Sequence, residues 1–119
     1  MRVCGMKIVL PFPAKELNPN ARKHWGAVSR FKKKARADAA LATRAAMGGK
    51  TIDLGEGPIP MRVTFFPPDN HRRDDDNMVA SFKAARDGIA DTLGVDDCRF
   101  EPHYFFEEAE KPGRVEVDL

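Results

Sequence analysis

Apolar residues recur along this 119-residue chain in two rhythms. Lys7–Leu10, Ile59–Phe66, Arg99–Phe106 and Arg114–Leu119 hold short apolar runs bounded by turn-forming residues, the pattern of β-strands. Pro11 and Pro13 stop the first strand and Pro67-Pro68 close the second, while Lys111-Pro112-Gly113 between the last two predicts a hairpin turn. From Trp25 to Met47 the spacing is three and four. Trp25, Val28, Phe31, Ala35, Ala39, Ala42 and Ala46 there form the stripe of an alanine-rich helix that Gly48-Gly49 ends. A second stripe, Met78, Phe82, Ala85, Ile89 and Leu93, predicts a helix from about Asp76 to Leu93, stopped by Gly94. Lys15–His24, which contains Asn18-Pro19-Asn20, and residues 50–58 read as loops. The order β-α-β-α-β-β predicts an α/β (α+β) fold, a mixed sheet with two helices, in a single domain over residues 1–119.

Composition narrows this picture. The chain is long enough for one modest core and too short for two. It has no apolar stretch of membrane-spanning length, and its opening lacks the pattern of a signal peptide. Cys4 and Cys98 have neither metal-site spacing nor a disulfide framework, so a reduced, cytoplasmic setting is expected, with both thiols packed. The formal net charge of +2 hides a strong asymmetry: residues 1–50 hold twelve Lys/Arg and two Asp/Glu, residues 51–119 eight and sixteen. A basic half suits phosphates and an acidic half suits metal, although a lysine run is also the ordinary wet face of an amphipathic helix.

The chemistry concentrates in His71-Arg72-Arg73-Asp74-Asp75-Asp76-Asn77, at the turn into the second helix. One carboxylate there can cap free backbone donors; three adjacent ones repel. A hard divalent cation, Mg²⁺ or Mn²⁺, would reconcile them, since such ions take one or two carboxylates plus water and substrate phosphate. The planar forks of Arg72 and Arg73 match phosphate oxygens. The competing reading is a solvated acidic turn. Asp74 and Asp76 leave the end of one predicted strand and Asp97 precedes another, so neighbouring strand ends are expected to gather them. Lys83, seven residues after Asp76, falls on nearly the same helix face. It either orients a scissile phosphate or pairs with Asp87. Lys15, Arg22, Lys23, Arg30, Lys32, Lys33, Lys34 and Arg36 would track a nucleic-acid backbone without reading bases. Phe12, Trp25 and Phe31 are candidate wedges, with Trp25 and Phe31 expected in the core.

Leu10-Pro11-Phe12-Pro13, Asn18-Pro19-Asn20-Ala21-Arg22-Lys23-His24-Trp25, Arg72-Arg73-Asp74-x-Asp76-Asn77 and Gly94-Val95-Asp96-Asp97 together resemble the RusA-type Holliday junction resolvases of bacteria and phages, over nearly the whole chain. That resemblance implies a RusA-like fold and a Mg²⁺-dependent homodimeric endonuclease. Its substrate would be four-way junction DNA, resolved by paired nicks. It also implies that Asp74, Asp76 and Asp97 are essential metal-binding acids, with Asp96 an alternative to Asp97. One position departs: the family's lysine falls on Ala80, and the role passes to Lys83 three residues later. A non-catalytic DNA-binding module and a metal-dependent phosphohydrolase of a small substrate remain alternatives. A helix-turn-helix is excluded, because no pair of short adjacent helices with a tight glycine turn occurs. Strand alternation would place Phe100, Tyr104 and Phe106 on one face and Phe105 on the other, which predicts burial on both faces, one of them against a second copy.

Overall fold

Residues 5–19 and 25–119 are described by the computed structural model of the chain. Its elements are β1 (Lys7–Pro11), α1 (Trp25–Met47), β2 (Ile59–Phe66), α2 (Asp75–Ser81), α3 (Lys83–Leu93), β3 (Phe100–Phe106) and β4 (Arg114–Asp118), with 3-10 turns at Lys15–Leu17 and Asp97–Arg99. The strands form one mixed sheet in the order β1-β4-β2-β3. β4 runs antiparallel to both β1 and β2, and β2 runs parallel to β3 with Ile59 opposite Phe100. This is an α+β domain with two layers.

Period-two alternation decides the faces. Ile8, Leu10, Met61, Val63, Phe65, Val115 and Val117 are buried on the side that α1 and α3 cover, where they meet Ala39, Phe82 and Ile89. The opposite face carries polar and aromatic pairs: Lys7 Nζ meets Glu116 at 3.1 Å, and the guanidinium groups of Arg62 and Arg114 lie 4.1 and 3.8 Å from the rings of Phe105 and Phe66. α1 and α3 cross closely at Gly88. A Cβ there would overlap the Arg36 carbonyl oxygen and lie 3.1 Å from the Ala39 Cβ.

Three expectations change. The second helix is broken at Phe82, whose N–H donates to Val79 three residues back. The Ser81 hydroxyl donates to the Asn77 carbonyl at 2.7 Å, the kind of back-bond that bends helices, while the Phe82 ring is drawn into the core edge-on to Phe65. The turn at Lys111–Gly113 is not a hairpin, because β2 lies between β3 and β4. Glu107 and Glu110 donate to the carbonyls of Phe65 and Pro67, so the chain passes over the C-terminal end of β2. Trp25 is not core: it is 78% exposed, whereas Phe31 is partly buried as its stripe requires. Among the described residues no helix is long and apolar enough to cross a membrane.

Candidate active site and cationic cleft

The eight residues between β2 and α2 carry the turn that presents the acids. Arg73 anchors it from inside: its guanidinium donates to the carbonyls of Asp69 and His71, both at 3.1 Å, pairs with the Asp69 carboxylate at 2.8 Å, and lies 5.3 Å from the Phe12 ring. That hydrogen bond holds the Asp69 carboxyl below the usual carboxylate range. Arg73 is therefore partly committed to the loop, while Arg72 is exposed. Asp74 is the N-cap of α2 and accepts the Asp76 N–H through Oδ1 at 2.9 Å. Asp75 and Asp76 fill the first turn, where the helix dipole favours them. Among the described residues, the side chains of Asp75 and Asp76 and the second oxygen of Asp74 have no hydrogen-bond or ion-pair partner.

Asp97 does not join them, contrary to the expectation that strand ends would gather the three. β2 and β3 are parallel, so the exit of β2 and the entry of β3 lie at opposite ends of the sheet, with Asp74 eight residues past that exit and Asp97 just before that entry. Among the described residues no three His, Cys, Asp or Glu side chains stand close enough to hold a metal ion. A set of Asp74 and Asp76, completed by water and phosphate, fits the coordination habit of Mg²⁺; the three-carboxylate set with Asp97 does not form among the described residues.

Asp97 belongs to a second cluster. Lys83, the first residue of α3, donates to both Asp87 and Asp97 at 2.6 Å, so its ion pair with Asp87 and its link to an acid of the motif coexist. These two carboxylates raise the Lys83 ammonium above its ordinary value, and Lys83 holds the Asp97 carboxyl below its own. Arg86 steadies the same residue by donating to the Asp97 carbonyl at 3.0 Å. Asp96, the alternative ligand, instead caps the 3-10 turn by accepting the Cys98 N–H at 3.0 Å. Cys98 is exposed rather than packed, its thiol pushed up by the neighbouring Asp96; Cys4 lies outside the described residues.

A surface trough connects the two acidic ends. Lys15, Asn18, Arg73, Asp74, Asn77 and Ser81 line its first part. Asn18 and Ser81 also line the middle part, a cleft of about 720 Å³ with Ser29, Lys32, Lys33, Arg36, Lys83 and Asp87 on its walls. Arg36 and Asp87 continue into a shallow third part that ends at Asp96 and Asp97. Glu16, Leu17, Val28, Ala80 and Ala84 also line the middle part, so its cations, of which Arg36 and Lys83 are ion-paired, stand on a floor that is largely apolar.

Five of the expected backbone contacts thus share one surface: Lys15, Lys32, Lys33, Arg36 and Arg73. Lys34 turns away and pairs with Asp38 at 2.6 Å, beside a separate apolar hollow lined by Leu10, Phe12 and Phe31. Arg36 is held by Asp91 through two bonds of 2.6 and 2.9 Å. Arg30 is exposed, and Arg22 and Lys23 lie outside the described residues. Arg86, Asp87 and Asp91 were not anticipated as site residues. Asp87 carried a signal in its four-residue spacing from Lys83; the Arg36–Asp91 pair joins two helices and has none in the linear sequence. No family model matches the chain. It is 44% identical over 128 aligned residues to a Xylella fastidiosa protein described as an "Uncharacterized protein", an alignment that covers 100% of this chain and 83% of that one, and the chain belongs to the same family as that protein.

Proposed function

We propose that this chain is a divalent-metal-dependent endonuclease of the RusA type that resolves four-way DNA junctions. The observation that carries the reading is the trough, which opens at Asp74 and is walled by Lys15, Lys32, Lys33, Arg36 and Lys83. A carboxylate end and a cationic middle on one surface suit a phosphodiester chain. Asp74 and Asp76 would hold Mg²⁺, with Mn²⁺ an alternative, and the bound ion supplies Lewis acidity and an activated water.

The remaining work falls to the protein. Arg72 and Lys15 offer donors to the phosphate nearest the acids, while Arg73 keeps the turn rigid. Lys32 and Lys33 hold the backbone further along the trough by charge alone, independent of sequence. Lys83 fixes Asp97 and presents an ammonium toward the middle of the cleft. A homodimer would place two such troughs on the two equivalent strands of a junction.

The separation of Asp97 from Asp74 and Asp76 favours a second reading, a junction-binding module that does not cut. One assay tells them apart: nicking of a synthetic four-way junction and of a linear duplex of the same sequence, with Mg²⁺ or with EDTA. Cleavage of the junction that requires Mg²⁺ supports the nuclease. Tight binding without nicking supports the module, and failure to bind either DNA rejects both.

A further inference from the structure

We propose that the apolar hollow beside α1 receives one extruded nucleobase of the strand held in the trough, an inference that rests on the nucleic-acid reading above. The hollow lies between the exit of β1 and the helices, and its volume is about 200 Å³. Leu10, Phe82 and Val115 form its floor; all three are buried, so it reaches down to the core. Phe12 and Phe31, both half-buried, stand on its walls. Ala35 of α1 and Ala85 of α3 keep it open, because each sets a single methyl where a longer apolar side chain would fill the space. Close-packed interiors leave few voids of this size. An apolar cavity of about 150 Å³ takes a benzene ring. This one therefore takes one six-membered ring with its substituents.

The rim selects the ligand. Lys34 donates to Asp38 there at 2.6 Å. An ammonium has three donors and a carboxylate two oxygens, so the pair still offers a donor and an acceptor to a third group. Their charges cancel, so the rim attracts no free phosphate. Apolar walls with a donor-and-acceptor edge suit a planar ring whose faces are apolar and whose edge is polar, which is the chemistry of a nucleobase. Position supplies its source. Phe12, Pro13, Ala14 and Ser81 line both the hollow and the first part of the trough, where Arg73 and Asp74 stand, so the two adjoin across the Phe12–Ala14 segment. Phe12 ties them together: its ring lies edge-on to Phe65 at 6.4 Å and 5.3 Å from the Arg73 guanidinium. A strand with a phosphate beside Asp74 can thus send the attached base over that segment. Extrusion costs least for a base already unpaired, and stacking between aromatic or apolar side chains offsets the cost. An intact duplex gains least from the hollow.

Filling the hollow tests the idea without touching the cations of the trough. The full-length protein, Ala35→Leu and Ala85→Leu are titrated in EDTA with an oligothymidylate of about 16 nucleotides, a length within the range of single-strand site sizes. A blunt duplex and a four-way junction are titrated in parallel. Each leucine should weaken oligothymidylate and junction binding about ten-fold and leave duplex binding unchanged. The same oligothymidylate with one central 5-iodouracil, irradiated on the wild type, should form an adduct with the peptide that holds Phe12 or Phe31. That adduct should fall in both leucine variants. Equal oligothymidylate affinity for the wild type and both variants overturns the pocket while the nucleic-acid reading stands. An adduct confined to other peptides overturns it as well. An equal loss for duplex and single strand does the same, because the added side chains would then act through the fold. Failure of the wild type to bind any of the three DNAs overturns both readings together.

Discussion

An aspartate at a helix start can serve the backbone, a metal, or both, and Asp74 allows the two jobs to be separated. Its Oδ1 caps α2 by accepting the Asp76 N–H, and asparagine caps as well as aspartate. Asp74→Asn should therefore keep the fold and its melting temperature. Under the nuclease reading it should lower junction cleavage by more than the ~10–100-fold typical of outer-shell partner substitutions. Asp76→Asn should behave alike, and near wild-type nicking by both variants would remove the metal site from consideration. Asp97 makes a different prediction, because Lys83 depresses its pKa. A carboxylate with a depressed folded pKa contributes stability above its unfolded value, near 4, and loses that contribution as pH falls through the folded pKa. Acid unfolding of Asp97→Asn should thus be less steep below about pH 4 than that of the wild type, whereas the two should run parallel between pH 5 and 8. Equal steepness in an acid titration followed by circular dichroism would show that the Lys83 pair adds nothing to stability.

At the scale of elements, the hydrophobic periodicities were informative because each reflects one face of one local structure. Six of the seven stripe positions of α1 are buried at least in part. Trp25 escapes because α3 packs beside the middle of α1, from Arg36 to Ala40, and not beside its start. The close crossing at Gly88 was invisible for a related reason, since a glycine within a helical pattern does not announce what it touches. Alanine at this position should add up to about 1 kcal/mol of helix propensity. It must also force two backbones apart, an overpacking cost of about 1–3 kcal/mol that outweighs the gain. Gly88→Ala should lower the melting temperature by several degrees, and an unchanged or raised value would mean that α1 and α3 slide apart freely. The lysine run on α1 divides in the same way. Lys32 and Lys33 line the trough, while Lys34 is paired with Asp38 on another face. Replacing Lys32 and Lys33 with alanine should flatten the log–log salt dependence of junction binding by about two units, and Lys34→Ala should leave it unchanged. Equal effects from the two changes would put DNA on a different side of α1.

At the scale of the whole molecule, topology decided what local reading missed. Asp74, Asp76 and Asp97 were visible as chemistry in the sequence, but whether they meet depends on the direction in which β3 runs beside β2. That direction is parallel, so the chain traverses α2 and α3 before Asp97 appears at the other end of the sheet. The same topology leaves β3 as an edge strand, with Phe105 and Phe106 39% and 38% exposed. Burial on both faces is thus incomplete within one chain: Phe106 stacks on Phe65 at 5.4 Å, while the Phe105 ring meets the Arg62 guanidinium on the other face. No helix of the described residues covers that second face of the sheet. A four-way junction has two equivalent strands to cut, and a two-fold dimer matches that symmetry with one trough per strand. Light scattering at micromolar concentration should therefore return twice the chain mass. Phe105→Asp with Phe106→Asp should return the single chain mass if the pair closes through β3. Retention of the doubled mass by that variant would place the contact elsewhere. A wild-type protein that weighs one chain would reject the dimer, and with it paired nicking by a preassembled enzyme.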